Sequence, residues 1–172
     1  MLLDMILLEK LLIHMKKQMI NYTISSTTNR WAKRVRKIDN IINQVLVYKK
    51  DLRFIKNINY YCDFTLANDK FVKHLNQKFR KVNQPTDVLT FVSKLTMKNK
   101  KEDRHCDVVF SIETILNDAK KNNVNFYNHL THLIIHSFLH INDFLHNNIG
   151  DYLIMKNTEI NILKKLGIAN PY

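Results

Sequence analysis

Residues 136–146, HSFLHINDFLH, carry three histidines in the pattern H-x3-H-x5-H. The apolar residues just upstream predict a buried helix, and residues four positions apart lie on the same face of a helix. His136 and His140 can therefore direct their imidazoles at a common ion. His146 follows six residues later, so the chain must turn after Asn142 to bring this third imidazole over the site.

Three imidazoles at this spacing predict a catalytic zinc site with one zinc ion per chain. Neutral histidines suit zinc, and three protein ligands leave a fourth coordination position for water. Bound zinc lowers the pKa of that water to roughly 7, so hydroxide is available at neutral pH. His129 and His132 extend the histidine stripe upstream, and we interpret them as residues that cap, pack or support the ligands.

A similar spacing occurs in the metzincin proteases, whose signature is H-E-x-x-H-x-x-G-x-x-H. In that signature the glutamate beside the first histidine is the general base. Ser137 occupies the corresponding position here, and its hydroxyl cannot serve as that base. The protease interpretation therefore lacks its main chemical group.

The length and charge of the chain limit the classes of function. A chain of 172 residues predicts a single domain. Its net charge of +12 suits a polyanionic partner, either nucleic acid or an anionic membrane surface, although a generally basic surface would give the same value. Cys62 and Cys106 are too few for a disulfide framework or a cysteine zinc site, and they favour a reduced, cytoplasmic protein.

Residues 1–18 are apolar but are interrupted by acidic residues. They have no basic segment ahead of the apolar part and no small-residue cleavage site, so they are a poor signal peptide. We interpret them as an N-terminal extension, either amphipathic or the product of a start codon upstream of Met15 or Met19, and residues 19–172 as the domain. Since no run reaches the ~18 to 20 uncharged apolar residues of a membrane span, we expect no membrane association.

Hydrophobic periodicity predicts alternating strands and helices. Residues 58–67 alternate between apolar and polar side chains, as a half-buried strand does, and residues 69–81 repeat Phe71, Leu75 and Phe79 at helical spacing. Residues 93–105 are basic and predict a loop, either a mobile hairpin connection or a loop that touches RNA. The predicted strands are 20–25, 58–67, 86–91 and 106–111, and the predicted helices are 31–48, 69–81, 112–121, 126–141 and 151–166. This order predicts an α+β fold, with helices packed over a small mixed sheet and a zincin-like three-histidine site on a central helix.

Several segments together resemble the YbeY family, the bacterial ribosomal RNA maturation factors. Residues 136–146 match the family motif H-G-x-L-H-L-x-G-[YF]-D-H. Residues 75–80 and 85–91 match a second motif, L-N-x-x-[YF]-R-x-x-x-x-P-T-D-V-L-S-F, and residues 106–111 resemble the G-D-[IV]-x-[IF]-S strand. The tail of the chain is similar as well, so the likeness spans about residues 19–172.

The resemblance implies a single-strand-specific, metal-dependent endoribonuclease that acts in maturation of small-subunit (16S) ribosomal RNA and in ribosome quality control. It implies zinc at His136, His140 and His146, and a catalytic role for His136 as well. By position, Arg80 is the family arginine that lines the metal cleft and is needed for activity, and its guanidinium suits phosphodiester oxygens. The implied partners are single-stranded RNA, ribosomal RNA and the small ribosomal subunit.

Four departures from the family pattern concern the site and the packing around it. Ser137 replaces a glycine that gives the helix close packing. Asp143 replaces the glycine that turns the chain, and aspartate tolerates left-handed geometry better than most residues. Leu145 replaces an aspartate just before the third histidine, and Cys106 replaces another glycine. None of these changes removes a predicted ligand or Arg80.

Two other functions stay open beside the ribonuclease. In a non-catalytic RNA-binding assembly factor, the metal would only hold the turn, and the missing acid at Leu145 favours this function. A metzincin-like protease is disfavoured by Ser137 and by the basic charge. For the ribonuclease, no motif carboxylate is available as a general base, so the nucleophile would be zinc-bound hydroxide or the 2'-hydroxyl of the RNA.

Overall fold

The computed structural model of the protein describes residues 20–96 and 102–172, so the predicted extension over residues 1–18 lies outside the described residues. A short 3-10 turn at Asn29–Trp31 precedes the first helix. The strands are β1 (Ile20–Ser26), β2 (Asn59–Ala67), β3 (Val88–Thr96) and β4 (Glu102–Ser111). The helices are α1 (Val35–Leu46), α2 (Asp69–Arg80), α3 (Ile112–Lys121), α4 (Phe126–Ile141) and α5 (Ile149–Lys165).

Within the described residues, four strands form a mixed sheet in the order β1-β2-β4-β3. Strands β1 and β4 run parallel to β2, whereas β3 runs antiparallel to β4. Parallel neighbours need long connections, and here the connections contain α1 and α2. Strand β2 alternates as predicted, since Tyr60, Cys62, Phe64 and Leu66 are buried while Asp63 is exposed. The expected α+β fold with a mixed sheet is confirmed.

Helix α4 is the central helix of the fold. Leu130, Ile134 and Phe138 are fully buried, and the ring of Phe138 lies 5.8 Å from the ring of Phe64 on β2. The helix also contacts α1, α3, α5 and β3. A helix that is apolar on most of its surface gains stability only when neighbours cover it on several sides, which explains its central place.

The predicted bounds of the basic loop, residues 93–105, are wrong. Strands β3 and β4 extend into this segment from both sides and pair as a hairpin, with Thr96 opposite Glu102. Residues 97–101, with three of the predicted RNA-contacting lysines, lie outside the described residues.

Arg104 is buried in β4, although we expected it on that loop. Its side chain is 2% exposed, its Nε donates to Glu102 at 2.7 Å, and its Nη1 donates to the backbone oxygen of Ile141 at 2.7 Å. A buried guanidinium requires such partners, because an unpaired charge away from water is costly. Arg104 therefore connects β4 to the C-terminal end of α4.

Helix α2 begins where the sequence predicts but buries a different face. The side-chain oxygen of Asn68 accepts a hydrogen bond from the backbone nitrogen of Phe71 at 2.9 Å, which caps the helix. Phe71 and Phe79 are 39% and 56% exposed, whereas Val72 and Asn76 are buried. The helix covers only a small cluster of buried apolar residues, so Phe71 and Phe79 do not pack into the main hydrophobic core.

The remaining helices deviate from prediction only at their ends. Helix α1 begins at Val35 rather than at residue 31, because the 3-10 turn takes up the first residues. Helix α5 begins at Ile149 and is followed by Gly167 with φ of +72°, as expected of a glycine beyond a helix end. Among the described helices, none combines the length and apolar character that a membrane crossing requires.

Candidate metal centre

His136 and His140 lie one turn apart on α4, and their imidazoles converge. Their Nε2 atoms are 3.0 Å apart. The Nδ1 atom of His136 lies 2.7 Å from Oε1 of Glu159, and the Nδ1 atom of His140 lies 2.9 Å from the backbone oxygen of Phe144. Because each Nδ1 faces an acceptor, it carries the ring proton, and each Nε2 keeps a lone pair for a metal.

A tight turn after α4 reverses the chain, as the sequence predicts. Asp143 has φ of +66°, in the left-handed region that favours glycine but that aspartate tolerates. The side chain of Asn142 accepts a hydrogen bond from the hydroxyl of Tyr60 at 2.9 Å and donates one to the backbone oxygen of Phe138 at 2.9 Å. The turn is thereby held against both β2 and α4.

Two cations hold the carboxylate of Asp143. Its Oδ1 lies 2.6 Å from Nζ of Lys94 on β3, and its Oδ2 lies 2.9 Å from Nη2 of Arg104 on β4. Partial burial would raise the pKa of Asp143, but the hydrogen bond from Lys94 and the charge of Arg104 outweigh it, and the pKa is lowered. The residue that stands where a glycine was expected therefore gains ion pairs that glycine could not make.

His146 emerges from this turn and completes a group of three nitrogens. Its ring centroid lies 5.7 Å from that of His136 and 5.0 Å from that of His140. One ring nitrogen of each histidine lies within 4.8 Å of the other two. Two imidazole nitrogens bound to the same tetrahedral zinc ion lie about 3.3 Å apart. Only small side-chain shifts would therefore bring these three nitrogens to the spacing that zinc requires.

The chemistry of the three donors fits a metal ion. Burial and the neighbouring imidazole of His136 lower the pKa of His140 to about 4, so His140 is neutral at pH 7, which is the state that binds metals. Three imidazole nitrogens without a thiolate match the ligand sets of catalytic zinc sites. The three histidines could therefore hold a metal ion and leave a coordination position free.

Glu159 on α5 supports the group from behind His136. Its carboxylate is fully buried, faces His136, lies 3.2 Å from Nε2 of His132, and accepts a hydrogen bond from the hydroxyl of Tyr172. Burial would raise the pKa of Glu159, but the hydrogen bonds from His132 and His136 lower it to about 2. An ionised carboxylate behind a histidine ligand fixes the ring orientation and strengthens its metal bond.

Arg80 is the last residue of α2 and lines the same cavity as the three histidines. The cavity has a volume of about 300 Å³. Lys81, with φ of +62°, ends α2 directly after Arg80, whose side chain remains exposed. Other residues that line the cavity include Thr86, Asp87, Thr90, His129, His132 and Tyr172. A cavity that combines a guanidinium with three imidazoles can take up a phosphodiester, because guanidinium pairs well with phosphate oxygens.

Two of the departures from the family pattern lie outside this cavity. Ser137 is fully buried, and its hydroxyl donates to the backbone oxygen of Leu133 at 2.9 Å, so it cannot act on a substrate. Leu145 is 51% exposed and lines a different cavity, beside Arg53 and Asp151. Neither residue enters the chemistry of the site.

Sequence reasoning assigned no role to Glu159, Tyr172 or Asp87. Glu159 could have been identified from the sequence. It lies midway between Met155 and Leu163 in a helical stripe that is buried in the structure. A carboxylate in such a stripe needs partners. Tyr172 and Asp87 had no such signal. They lie outside helices and strands, where only the tertiary structure decides which residues meet.

Comparisons with known proteins agree with this geometry. Residues 23–167 match the model of a family described as endoribonuclease YbeY. An endoribonuclease YbeY of Ehrlichia canis (strain Jake) is 35% identical over 150 residues, covering 83% of this chain and 91% of the relative. An endoribonuclease YbeY of Ehrlichia chaffeensis (strain ATCC CRL-10679 / Arkansas) is 33% identical over 147 residues, covering 80% and 92%.

One solved structure supports the fold. The solution structure of TM1509 from Thermotoga maritima matches with a TM-score of 0.50 at 20% sequence identity. The match covers 87% of this chain and 92% of the other chain. At this level of identity the likeness shows the fold alone.

Proposed function

Because this chain belongs to the endoribonuclease YbeY family, we propose that it cleaves single-stranded RNA with a zinc ion held by His136, His140 and His146. Its substrate would be small-subunit (16S) ribosomal RNA, and it would act in the cytoplasm in ribosomal RNA maturation and ribosome quality control, with the small ribosomal subunit as partner. The observation that carries the proposal is the convergence of three imidazoles and Arg80 on one cavity.

Two histidines and Arg80 have distinct roles in the proposed reaction. His136 and His140 would bind zinc through Nε2, since Glu159 and the backbone of Phe144 engage their Nδ1 atoms. When bound, zinc would supply Lewis-acid chemistry at the scissile phosphate. Arg80 would bind the nonbridging oxygens and stabilise the negative charge that builds up on them.

The shape of the site supports a preference for single strands. The three histidines line a cavity, and two of them lie on α4. A flexible unpaired backbone can bend a phosphodiester into such a cavity, whereas the phosphates of a stiff A-form duplex are fixed on its outside. The net charge of +12 favours RNA binding in general.

We also propose that residues 19–172 form the catalytic domain and that residues 1–18 lie outside it. The family match, which begins at residue 23, supports this division. A chain that starts at Met19 should cleave RNA at the same rate as the full chain. A marked loss of cleavage by a shortened chain that still folds would contradict the division.

The proposal is tested by cleavage of a single-stranded 16S ribosomal RNA fragment, with and without a metal chelator. Arg80→Ala should reduce cleavage by about 100-fold or more, because it removes a donor to the transition state. Lys73→Ala is the matched control, since Lys73 is an exposed cation on the same helix, and it should leave the rate unchanged. The same RNA annealed to its complement should resist cleavage.

The other outcomes distinguish the rival functions. Zinc and RNA binding without any cleavage would support a non-catalytic assembly factor. Equal cleavage by all variants and with chelator would indicate a contaminating nuclease. Hydrolysis of a general peptide substrate, inhibited by chelator, would favour the protease.

A further inference from the structure

A second group of metal-type donors lies apart from the three histidines. It consists of Asp87 just before β3, Asp118 on α3 and His129 on α4. One carboxylate oxygen of each aspartate and one ring nitrogen of His129 all lie within 4.8 Å of one another. Side chains from two helices and from the residue before β3 thus lie close together. Asp87 and His129 also line the cavity that contains the three histidines.

The donors of this group are poorly satisfied by the protein itself. The Nε2 atom of His129 is buried and has no hydrogen-bond partner in the part of the chain that the structure describes. Within the described residues, the carboxylate of Asp118 takes part in no hydrogen bond or ion pair. Asp87 does have partners, since its Oδ1 accepts from the backbone nitrogen of Val88 at 2.7 Å and from the hydroxyl of Thr86 at 3.0 Å. Buried polar groups in folded proteins almost always have partners.

The spacing explains why these groups do not satisfy one another. No hydrogen bond or ion pair joins His129 to either aspartate in the described structure, although all three donors lie within 4.8 Å. Two carboxylates at this distance repel each other unless a cation lies between them. Burial lowers the pKa of His129, which disfavours its charged form.

We propose that Asp87, Asp118 and His129 bind a second divalent cation, of the Mn²⁺ class. Two carboxylates and one imidazole form a mixed oxygen and nitrogen donor set, which suits such an ion better than Mg²⁺, with its preference for oxygen ligands alone. Its charge would offset both carboxylates, and its bond to His129 would use a nitrogen that has no other partner. This site is separate from the three-histidine site, because His129 and His136 are seven residues, or about 10 Å, apart along α4.

The second ion has a natural role in the cavity, and this role rests on the proposed ribonuclease function. Three protein ligands leave coordination positions open, and Asp87 and His129 face the same cavity as Arg80. The ion would hold a phosphate that flanks the scissile one. It is too distant to act as the partner of a two-metal mechanism, which requires a separation of about 4 Å.

The cation site is tested without RNA. Full-length protein loaded with one equivalent of zinc is titrated with Mn²⁺, and electron paramagnetic resonance counts the free Mn²⁺. The wild type should take up one further equivalent. Asp118→Asn and His129→Gln should each weaken its binding by at least about tenfold, because each removes a ligand. Added Mn²⁺ should raise the melting temperature of the wild type but not of either variant.

Two controls locate the site. Asp107→Asn, a change to an exposed aspartate on β4, should leave Mn²⁺ binding unaltered. His140→Ala, which affects only the three-histidine site, is titrated without added zinc and should still bind Mn²⁺. The proposal is overturned if the zinc-loaded wild type takes up no Mn²⁺, or if both Asp118→Asn and His129→Gln fold and bind Mn²⁺ as the wild type does. It is also overturned if His140→Ala abolishes Mn²⁺ uptake.

The phosphate role needs a separate measurement. Binding of a single strand with 2'-O-methyl groups is measured with and without Mn²⁺. The wild type should bind this strand at least about tenfold more tightly with Mn²⁺, and Asp118→Asn should not. If the Mn²⁺ titration succeeds and this difference is absent, the cation site stands and only its phosphate role fails. If the wild type does not cleave RNA at all, the proposed function is contradicted instead.

Discussion

The two halves of the three-histidine site are built in different ways. His136 and His140 lie on the buried helix α4, and Glu159 and the backbone of Phe144 fix their Nδ1 atoms. His146 follows a turn and is exposed. Its imidazole forms no hydrogen bond with any of the described residues. The imidazoles of His136 and His140 are therefore oriented by the protein alone, whereas the position of His146 depends on the turn.

The comparison indicates that buried apolar packing holds a side chain in place more strongly than an ion pair near the surface does. Helix α4 is held by fully buried apolar contacts. The turn relies partly on Asp143, whose side chain is 51% exposed even though its partner Arg104 is 2% exposed. Ion pairs near the surface contribute only about 0–1 kcal/mol. We therefore expect changes to the helical half to cost more zinc affinity than changes to the turn.

The largest effect is expected from a change in the helical pair. His140→Ala should reduce zinc affinity by more than about 100-fold and abolish cleavage, because it removes a ligand that is already in place. Zinc content and competition with a chelator measure the loss. His74→Ala, a change to an exposed histidine on α2, is the control and should behave as the wild type. Full zinc retention by His140→Ala would remove the basis of the site.

The support behind the helical pair should give the next largest effect. Glu159→Gln keeps the shape of the side chain but removes the charge that faces His136, so zinc affinity should fall about 10–100-fold. Tyr172→Phe removes only one hydrogen bond to Glu159 and should cost less. Chelator competition on both variants measures the order. If Tyr172→Phe lost more affinity than Glu159→Gln, the assigned role of Glu159 would be wrong.

Changes at Asp143 separate the geometry of the turn from its charges. Asp143→Gly keeps the left-handed backbone but loses the ion pairs, and its zinc affinity should stay within about threefold of the wild type. Asp143→Ala loses both the ion pairs and the tolerance for positive φ, and should bind zinc about tenfold more weakly. Equal affinities of the two variants would show that backbone strain does not limit the third ligand.

The smallest effect is a pH dependence of stability. The pKa of Asp143 is lowered in the folded protein, so its carboxylate stabilises the fold above its ordinary pKa of 3.8, and this contribution is lost as the pH falls through the lowered value. In zinc-free protein, Asp143→Asn should reduce the free energy of unfolding by at most about 1 kcal/mol at pH 7. The difference from the wild type should disappear in acid, as followed by urea denaturation across pH. A difference that grew below the ordinary pKa would contradict this sign.

Much of the fold could be predicted because its signals are local. The alternation along β2 and the cap at Asn68 each depend on residues close in sequence, and the structure reproduces both. The turn at Asp143 could be placed because His146 must return to the helix, and few residues other than glycine tolerate positive φ as aspartate does.

The misplaced features depend on contacts distant in sequence. Residues 93–105 are polar and look like a loop, yet pairing of β3 with β4 makes most of them strand. Arg104 is buried because Glu102, Asp143 and the backbone of Ile141 surround its guanidinium. No local pattern indicates that these partners come together. The same holds for Asp87 and His129, which meet only through the tertiary fold.

Cys62 and Cys106 occupy paired positions on the neighbouring strands β2 and β4, and they are 1% and 2% exposed. The adjacent thiol of Cys106 and burial both raise the pKa of Cys62, so its reactive thiolate is scarce in the folded protein. An alkylating reagent can therefore modify this pair only when the centre of the sheet opens. Alkylation of the two thiols, followed by mass spectrometry, therefore reports how often the core opens.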